Sequence, residues 1–260
     1  MKVALCISGQ PRNALETFPY IYNNIIKPND ADVFFHMNYD SSIDIIEKSH
    51  ADKGNCKCPP NIDTQLIELY KPKVFLIESP KNFKNIKIKI PPARLERSKK
   101  MNKHKNWTDE EHTSYTIRQL YSMYYSIYKS NELKELYALE NGINYDYVIR
   151  IRFDLLPQQP IICSNYDPAY IYYLEMVQPD NLISDWFNFG SNAIMNVYSS
   201  VFLHMEYLNT FTFLNKRDRL QNTYEPSDEC GGMSEFFIRD LMFHHKIPKK
   251  GIKYNFDLKI

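Results

Sequence analysis

The run Val3-Ala4-Leu5-Cys6-Ile7 is apolar without a break, and it constrains the fold more than any other feature of the chain. A strand with one wet face alternates apolar and polar side chains. An unbroken apolar run instead suits a strand covered on both faces, as in a parallel sheet between layers of helices. Leu15, Phe18, Ile21, Tyr22 and Ile25 then recur at helical spacing, and Pro28 ends that pattern. Residues Asp32–Met37 read as a second strand, Asp63–Tyr70 as a short helix with Asp63 as its N-cap, and Lys73–Ile77 as a third strand. This alternation predicts an α/β fold with a Rossmann-like, mostly parallel sheet flanked by helices and right-handed crossovers.

The second half continues in kind. Ser114–Glu140 reads as a long helix broken near Ser130, with Ile117, Leu120, Tyr121, Tyr124 and Tyr128 on its core face. A strand over Tyr145–Asp154 comes next, then a strand over Tyr170–Leu174 and a helix over Asn192–Tyr207. Residues 208–232 look irregular and lead to a helix over Met233–His245 and a last strand over Lys253–Phe256. With 43% hydrophobic and 14% aromatic residues in 260, one large core is affordable, and residues 1–260 read as a single domain. Within it, 1–79 and 113–158 form the sheet core, 80–112 a basic mobile loop, and 159–260 the remainder.

The formal charge of +1 excludes a global drive toward nucleic acid or anionic membrane. It conceals an asymmetry: residues 71–105 carry ten lysines and two arginines against Glu78 and Glu96. The basic loop within this stretch suits a lid over an anionic substrate, a nucleic-acid arm or, through residues 80–105, a peripheral membrane contact; a solvated loop is the plainer reading. Lys87–Ile90 alternates as an edge strand would. No charged-then-apolar leader precedes the first strand and no apolar run could span a bilayer, so a cytoplasmic protein with reduced thiols is expected. Of the five cysteines, Cys56 and Cys58 lack a second Cys or His pair at zinc-like spacing and read as free surface thiols.

Chemistry concentrates where strands end. Tyr147, Val148, Ile149 and Ile151 are strand-forming, and Arg150, Arg152 and Asp154 deliver charge to the strand's carboxyl end. Ligands of open α/β sheets bind beyond those ends. An aspartate there can hold a divalent cation, and arginines can grip phosphate bidentately. The plainer alternative is an Arg–Asp ion pair capping the strand. Ser8, Gly9 and Arg12 form a tight loop after the first strand that can bring backbone N–H groups to a phosphate, although the P-loop glycine and Lys-Ser/Thr pair are missing. His36, ending the second strand, either faces a nucleotide or bonds locally. Asp185, just ahead of Trp186-Phe187-Asn188-Phe189-Gly190, is either a desolvated general base or a turn residue. Glu235 either answers the dipole in the first turn of its helix or aims at an acceptor.

Taken in order, Ile7-Ser8-Gly9-Gln10-Pro11-Arg12, Asp32-Val33-Phe34-Phe35-His36, Arg150-Ile151-Arg152-Phe153-Asp154, Ser184-Asp185-Trp186-Phe187-Asn188-Phe189-Gly190-Ser191 and Ser234-Glu235 resemble a GT-A-type glycosyltransferase of the kind found in large DNA viruses and capsule-building bacteria. The resemblance implies a nucleotide-diphosphate sugar donor, a glycan or glycoconjugate acceptor, no nucleic-acid partner, and for a viral chain the host cytoplasm. It implies a divalent Mn or Mg on Asp154, although the family's Asp-x-Asp is here Arg152-Phe153-Asp154. It assigns Ser8, Gly9, Arg12, His36, Arg150 and Arg152 to the donor side, and Asp185 or Glu235 to catalysis. A non-catalytic nucleotide-sugar or glycan binder, a nucleotidyltransferase on a similar sheet, and an RNA- or DNA-associated protein using residues 80–105 are the competing readings, the last disfavoured by the absence of an aromatic-interleaved basic motif.

Overall fold

The fold is described from a computed structural model, covering all residues except 43–44, 47–55, 84–85, 87, 89, 91, 176–182, 215–232, 254–255 and 259–260. For 56, 93–94, 97, 210–214, 233–236 and 256–258 it describes backbone alone. The strands in chain order are β1 (Val3–Gly9), β2 (Asp32–Asn38), β3 (Ile45–Ile46), β4 (Cys56–Lys57), β5 (Val74–Glu78), β6 (Tyr147–Ile151), β7 (Leu155–Pro157), β8 (Ile171–Leu174), β9 (Phe187–Ser191), β10 (Lys249–Ile252) and β11 (Phe256–Leu258). The helices are α1 (Ala14–Ile21), continuing through a π-turn into α2 (Lys27–Asn29), then α3 (Ile62–Tyr70), α4 (Pro92–Met101), α5 (Asp109–Asn141), α6 (Asn192–Ser199), α7 (Val201–Leu214) and α8 (Met233–His244).

Seven strands make one sheet in the order β10-β8-β9-β6-β1-β2-β5. All neighbours pair parallel except at β9, which runs antiparallel to both β6 and β8. The expected mostly parallel, Rossmann-like α/β sheet is therefore present. Two short antiparallel ribbons, β7 with β11 and β3 with β4, lie outside it. Pleating divides each apolar strand between two cores. Leu5, Ile7, Phe35, Ile149 and Ile151 join the layer that includes Ile21, Ile25, Ile62 and Leu66 of the first helices. Ala4, Cys6, Phe34 and Val148 join Leu120, Tyr124, Ile127, Tyr198, Met205 and Phe237 on the opposite face. The unbroken apolar runs are what this two-sided burial requires.

The helix α5 runs 33 residues without the break expected near Ser130. The Ser130 hydroxyl donates to the Ile127 carbonyl, 2.9 Å away, so the side chain is satisfied by its own helix. A capping box starts it: the Glu111 backbone N–H donates to Thr108 Oγ1 at 3.3 Å and the Thr108 N–H to Glu111 Oε2 at 2.7 Å. Gly142, at φ 63°, ends it.

Several expectations are corrected. The segment 80–112 is not simply a basic mobile loop, because α4 occupies Pro92–Met101; its Ser98 is buried and lies 3.2 Å from His112 Nδ1 of α5. Low apolar content masked a helix that needs only one narrow face. Ile88 and Ile90 lie outside any strand, and Lys87 and Lys89 fall outside the described residues. The helix expected over Asn192–Tyr207 is two, divided at Ser200, and α7 reaches Leu214. The last strands are β10 and β11, shifted from Lys253–Phe256. The N-cap of α3 is Asn61, with Asp63 in the first turn. Cys58 is buried in the core and not at the surface. Cys230 lies outside the described residues.

Candidate functional site

The order of the sheet locates a site before any side chain is considered. From β1 the chain builds outward on one side through β2 and β5, then returns along α5 to lay β6 against the other side of β1. The gap between β1 and β6 is the topological switch point, where the loops after the two strands diverge and leave room for a ligand. Register aligns Ile7 with Ile151, so the loop opened by Gly9 and the segment Arg152–Asp154 leave the sheet side by side.

Gly9 has φ 123°, a backbone state that favours glycine, and a Cβ built there would find no atom within 4 Å. Space and backbone freedom therefore coincide at the tip of β1. Arg12, a half-buried residue beyond it, donates through Nη2 to Gln10 Oε1 at 2.8 Å and through Nη1 to Asp154 Oδ2 at 3.4 Å. From the other strand, Arg152 donates Nε to Asp154 Oδ1 at 2.8 Å and Nη2 to Oδ2 at 2.5 Å. The guanidinium of Arg152 also lies 5.8 Å from the centre of the Trp186 ring. Asp154 is buried, at 4% exposure. Burial opposes its ionisation, but the charges and hydrogen bonds of Arg152 and then Arg12 prevail and hold its carboxyl below the usual range. A hydrogen bond from the Thr17 hydroxyl to the Phe153 carbonyl ties this turn to α1.

One pleat inward, Arg150 is 2% exposed. Its Nε donates to Ser8 Oγ at 3.4 Å, while Nη1 is buried with no hydrogen-bond partner among the described residues. Directly across the ladder stands Asn188 of β9, fully buried, whose Oδ1 and Nδ2 also have none. Burial lowers the Arg150 pKa from its ordinary value, and the negative charge of Asp185 works in the other direction. Asp185, itself 8% exposed, acts electrostatically on Arg152 as well. Among the described residues, Arg12, Arg150 and Arg152 thus stand against Asp154 and Asp185, one positive charge in excess.

His36 stands beside this point, paired with Ser8 across the β1–β2 ladder. Its ring is buried on the α5 side, with Nδ1 2.6 Å from Ser126 Oγ and Nε2 3.0 Å from Glu78 Oε1. Glu78 also accepts from the Tyr125 hydroxyl at 2.7 Å and pairs with Lys81 at 2.9 Å. Burial opposes Glu78 ionisation, yet Lys81, Tyr125 and His36 hold its pKa at about 2. An ionised Glu78 only accepts, so Nε2 of His36 carries the proton and Nδ1 accepts from Ser126. The polar contacts of His36 are thus from other elements and not the nearby backbone alone. The side chain of Glu235 is outside the described residues.

The structure thus brings together Ser8, Gly9, Arg12, Arg150, Arg152, Asp154 and Asp185; His36 adjoins Ser8 through the β1–β2 ladder, with its ring engaged by Ser126 and Glu78. Sequence reasoning gave no role to Gln10 or Asn188, and took Trp186 only as a neighbour that desolvates Asp185. Asn188 did leave a signal: a lone amide between two phenylalanines of a buried strand needs a polar reason to be there.

A divalent cation on Asp154 would have to displace guanidinia, since both of its oxygens are turned to Arg152 or Arg12. Among the described residues no three His, Cys, Asp or Glu side chains converge as ligands. A cationic cluster of this kind suits an anion. No helix among the described residues is long and apolar enough to cross a membrane. No family model and no curated protein matches the chain.

Proposed function

We propose that the protein is a glycosyltransferase that moves a sugar from a nucleoside-diphosphate donor to a hydroxyl of a glycan or glycoconjugate. One observation carries the proposal: a net-cationic cluster of arginines at the switch point between β1 and β6. A diphosphate is the ligand class whose charge and planar oxygen pairs match guanidinia there. The open backbone at Gly9 would let the loop approach it closely.

In the reaction the acceptor oxygen bonds to the anomeric carbon and the carbon–oxygen bond to the diphosphate breaks. The electron pair leaves with the phosphate, and the acceptor proton passes to a base. Stabilising that departing charge is the main electrostatic task, and in this reading Arg12, Arg150 and Arg152 perform it. Asp185, beside them, is the candidate proton acceptor, with Glu235 the alternative implied by resemblance.

The test is a screen of nucleoside diphosphates and their sugars by thermal shift, followed by product analysis. A ligand at a hundred times its dissociation constant should stabilise the fold by about 2.7 kcal/mol. Release of nucleoside diphosphate with a sugar on the acceptor supports transfer. Pyrophosphate release would show a nucleotidyltransferase instead. Tight binding without turnover on any acceptor would leave a binding protein.

A further inference from the structure

We propose that Asp154 is a positioning residue that sits, in the free protein, where a diphosphate sits in the loaded one. The inference rests on the donor reading above and goes beyond it, because it gives the strand-end acid the opposite role from a metal ligand.

The geometry is that of an internal anion. A carboxylate gripped by Arg152 through two parallel N–H···O contacts, at 2.8 and 2.5 Å, occupies the fork that a phosphate would use. A second guanidinium, Arg12, reaches the same carboxyl at 3.4 Å from the first loop. That longer contact crosses between the two segments that diverge at the switch point, so it is the first to yield to a stronger anion. Arg12 is otherwise anchored by Gln10 at 2.8 Å, and it keeps its place when Asp154 releases it. Arg152 keeps its place through the Trp186 ring, 5.8 Å away.

Charge gives the direction. Asp154 carries one negative charge and a diphosphate two or more, so two guanidinia favour the ligand. Meanwhile Asp154 keeps buried arginines from facing one another unscreened. Ligand entry therefore exchanges one carboxylate for a diphosphate on Arg12 and Arg152, and the displaced acid weakens binding. A metal-ligand role predicts the reverse, since losing the acid would then remove the cation and the diphosphate with it.

The experiment is calorimetric titration of inorganic pyrophosphate and of nucleoside diphosphates into the wild-type protein and Asp154→Asn, each with EDTA and with manganese. The expected result is tenfold or greater tightening by Asp154→Asn, unaffected by EDTA. Weaker binding in the variant, or binding that requires manganese, overturns the inference while leaving the donor reading in place. Equal affinities overturn it too and reduce Asp154 to a strand cap. If neither protein binds any diphosphate, the donor reading falls and this one with it. Should the variant fail to fold, the wild-type side-chain Nε–H resonance of Arg152, assigned with Arg152→Lys, serves instead. It should shift when pyrophosphate is added, and its staying fixed at saturation counts against displacement.

Discussion

Two polar clusters stand at the carboxyl edge of the same sheet, and they are built on opposite rules. Beyond β2 and β5, Glu78 satisfies Lys81, Tyr125 and His36 at once, and His36 is closed off behind by Ser126. Charge there is balanced and the ring nitrogens are both engaged. Beyond β1 and β6, cations outnumber carboxylates, and Arg150 and Asn188 keep buried atoms with no partner among the described residues. A saturated cluster holds a fold together. An unsaturated one of excess charge keeps capacity for something else.

The largest effect should come from Arg152→Ala. It strips Asp154 of its bidentate partner and leaves a 4% exposed carboxylate to the longer contact with Arg12. Losing one member of a buried pair costs about 3 kcal/mol of stability. Diphosphate affinity should fall about a hundredfold as two charge-assisted bonds are lost. Urea unfolding and calorimetry measure the two separately, and unchanged affinity would erase the distinction between the clusters.

Glu78→Gln is the matched change at the balanced end, and it should cost about 2 kcal/mol after allowing for partial exposure. Diphosphate affinity should not move. The pH dependence has a definite sign. Glu78 titrates at about 2 in the fold against 4.5 ordinarily, so its contribution is complete above 4.5 and disappears as the pH falls toward 2. His36 has a folded pKa below 6.5, chiefly through burial, so protonation favours the unfolded chain. Stability therefore begins to fall as the pH drops below 6.5, before Glu78 contributes. His36→Gln should remove that upper limb and Glu78→Gln the lower one in urea midpoints measured across pH.

The sequence exposed one cluster far more readily than the other. Arg150, Arg152 and Asp154 are consecutive pleats and a turn, and Ser8, Gly9 and Arg12 are one loop, so local spacing brought each set to an edge. The order β5-β2-β1-β6 then made the two loops neighbours, which alternation of strands and helices anticipates. The other cluster was hidden because His36, Glu78 and Ser126 come from three elements separated by 42 and 90 residues. Their meeting depends on β2–β5 pairing and on which face α5 presents. The helix α4 was missed for a different reason: a basic stretch that opens on a proline carries little apolar periodicity, yet buried Ser98, set against His112 of α5, helps to seat it. The fate of Asp154 was readable only as a choice between metal ligand and ion pair: Arg152 is two residues away, but Arg12, the second guanidinium on the same carboxyl, lies 142 residues away.

Gly9→Ala separates backbone from side chain at the unsaturated end. No atom lies within 4 Å of the added Cβ, so crowding contributes nothing. The cost is the φ of 123°, about 1–2 kcal/mol for a residue with a side chain. Diphosphate affinity should drop further than stability does, because the methyl group occupies the approach to the loop. Loss of stability with affinity intact would move the ligand away from β1.

The smallest effect is also the most diagnostic. Asn188 spends a buried amide opposite Arg150 with neither Oδ1 nor Nδ2 bonded among the described residues. If that amide served the fold, replacing it would be destabilising. If it is kept for a ligand, Asn188→Leu, close in shape and with no polar group to desolvate, should leave stability unchanged or raise it by about 1 kcal/mol. Diphosphate-sugar affinity should meanwhile fall severalfold, whereas pyrophosphate alone, held by Arg12 and Arg152, should bind almost as before. That difference would place Asn188 on the sugar side of the donor and Asp154 on its phosphate side. A destabilised Asn188→Leu with both affinities unchanged would instead give its amide to the fold, and the contrast between the two clusters would narrow to the arginines.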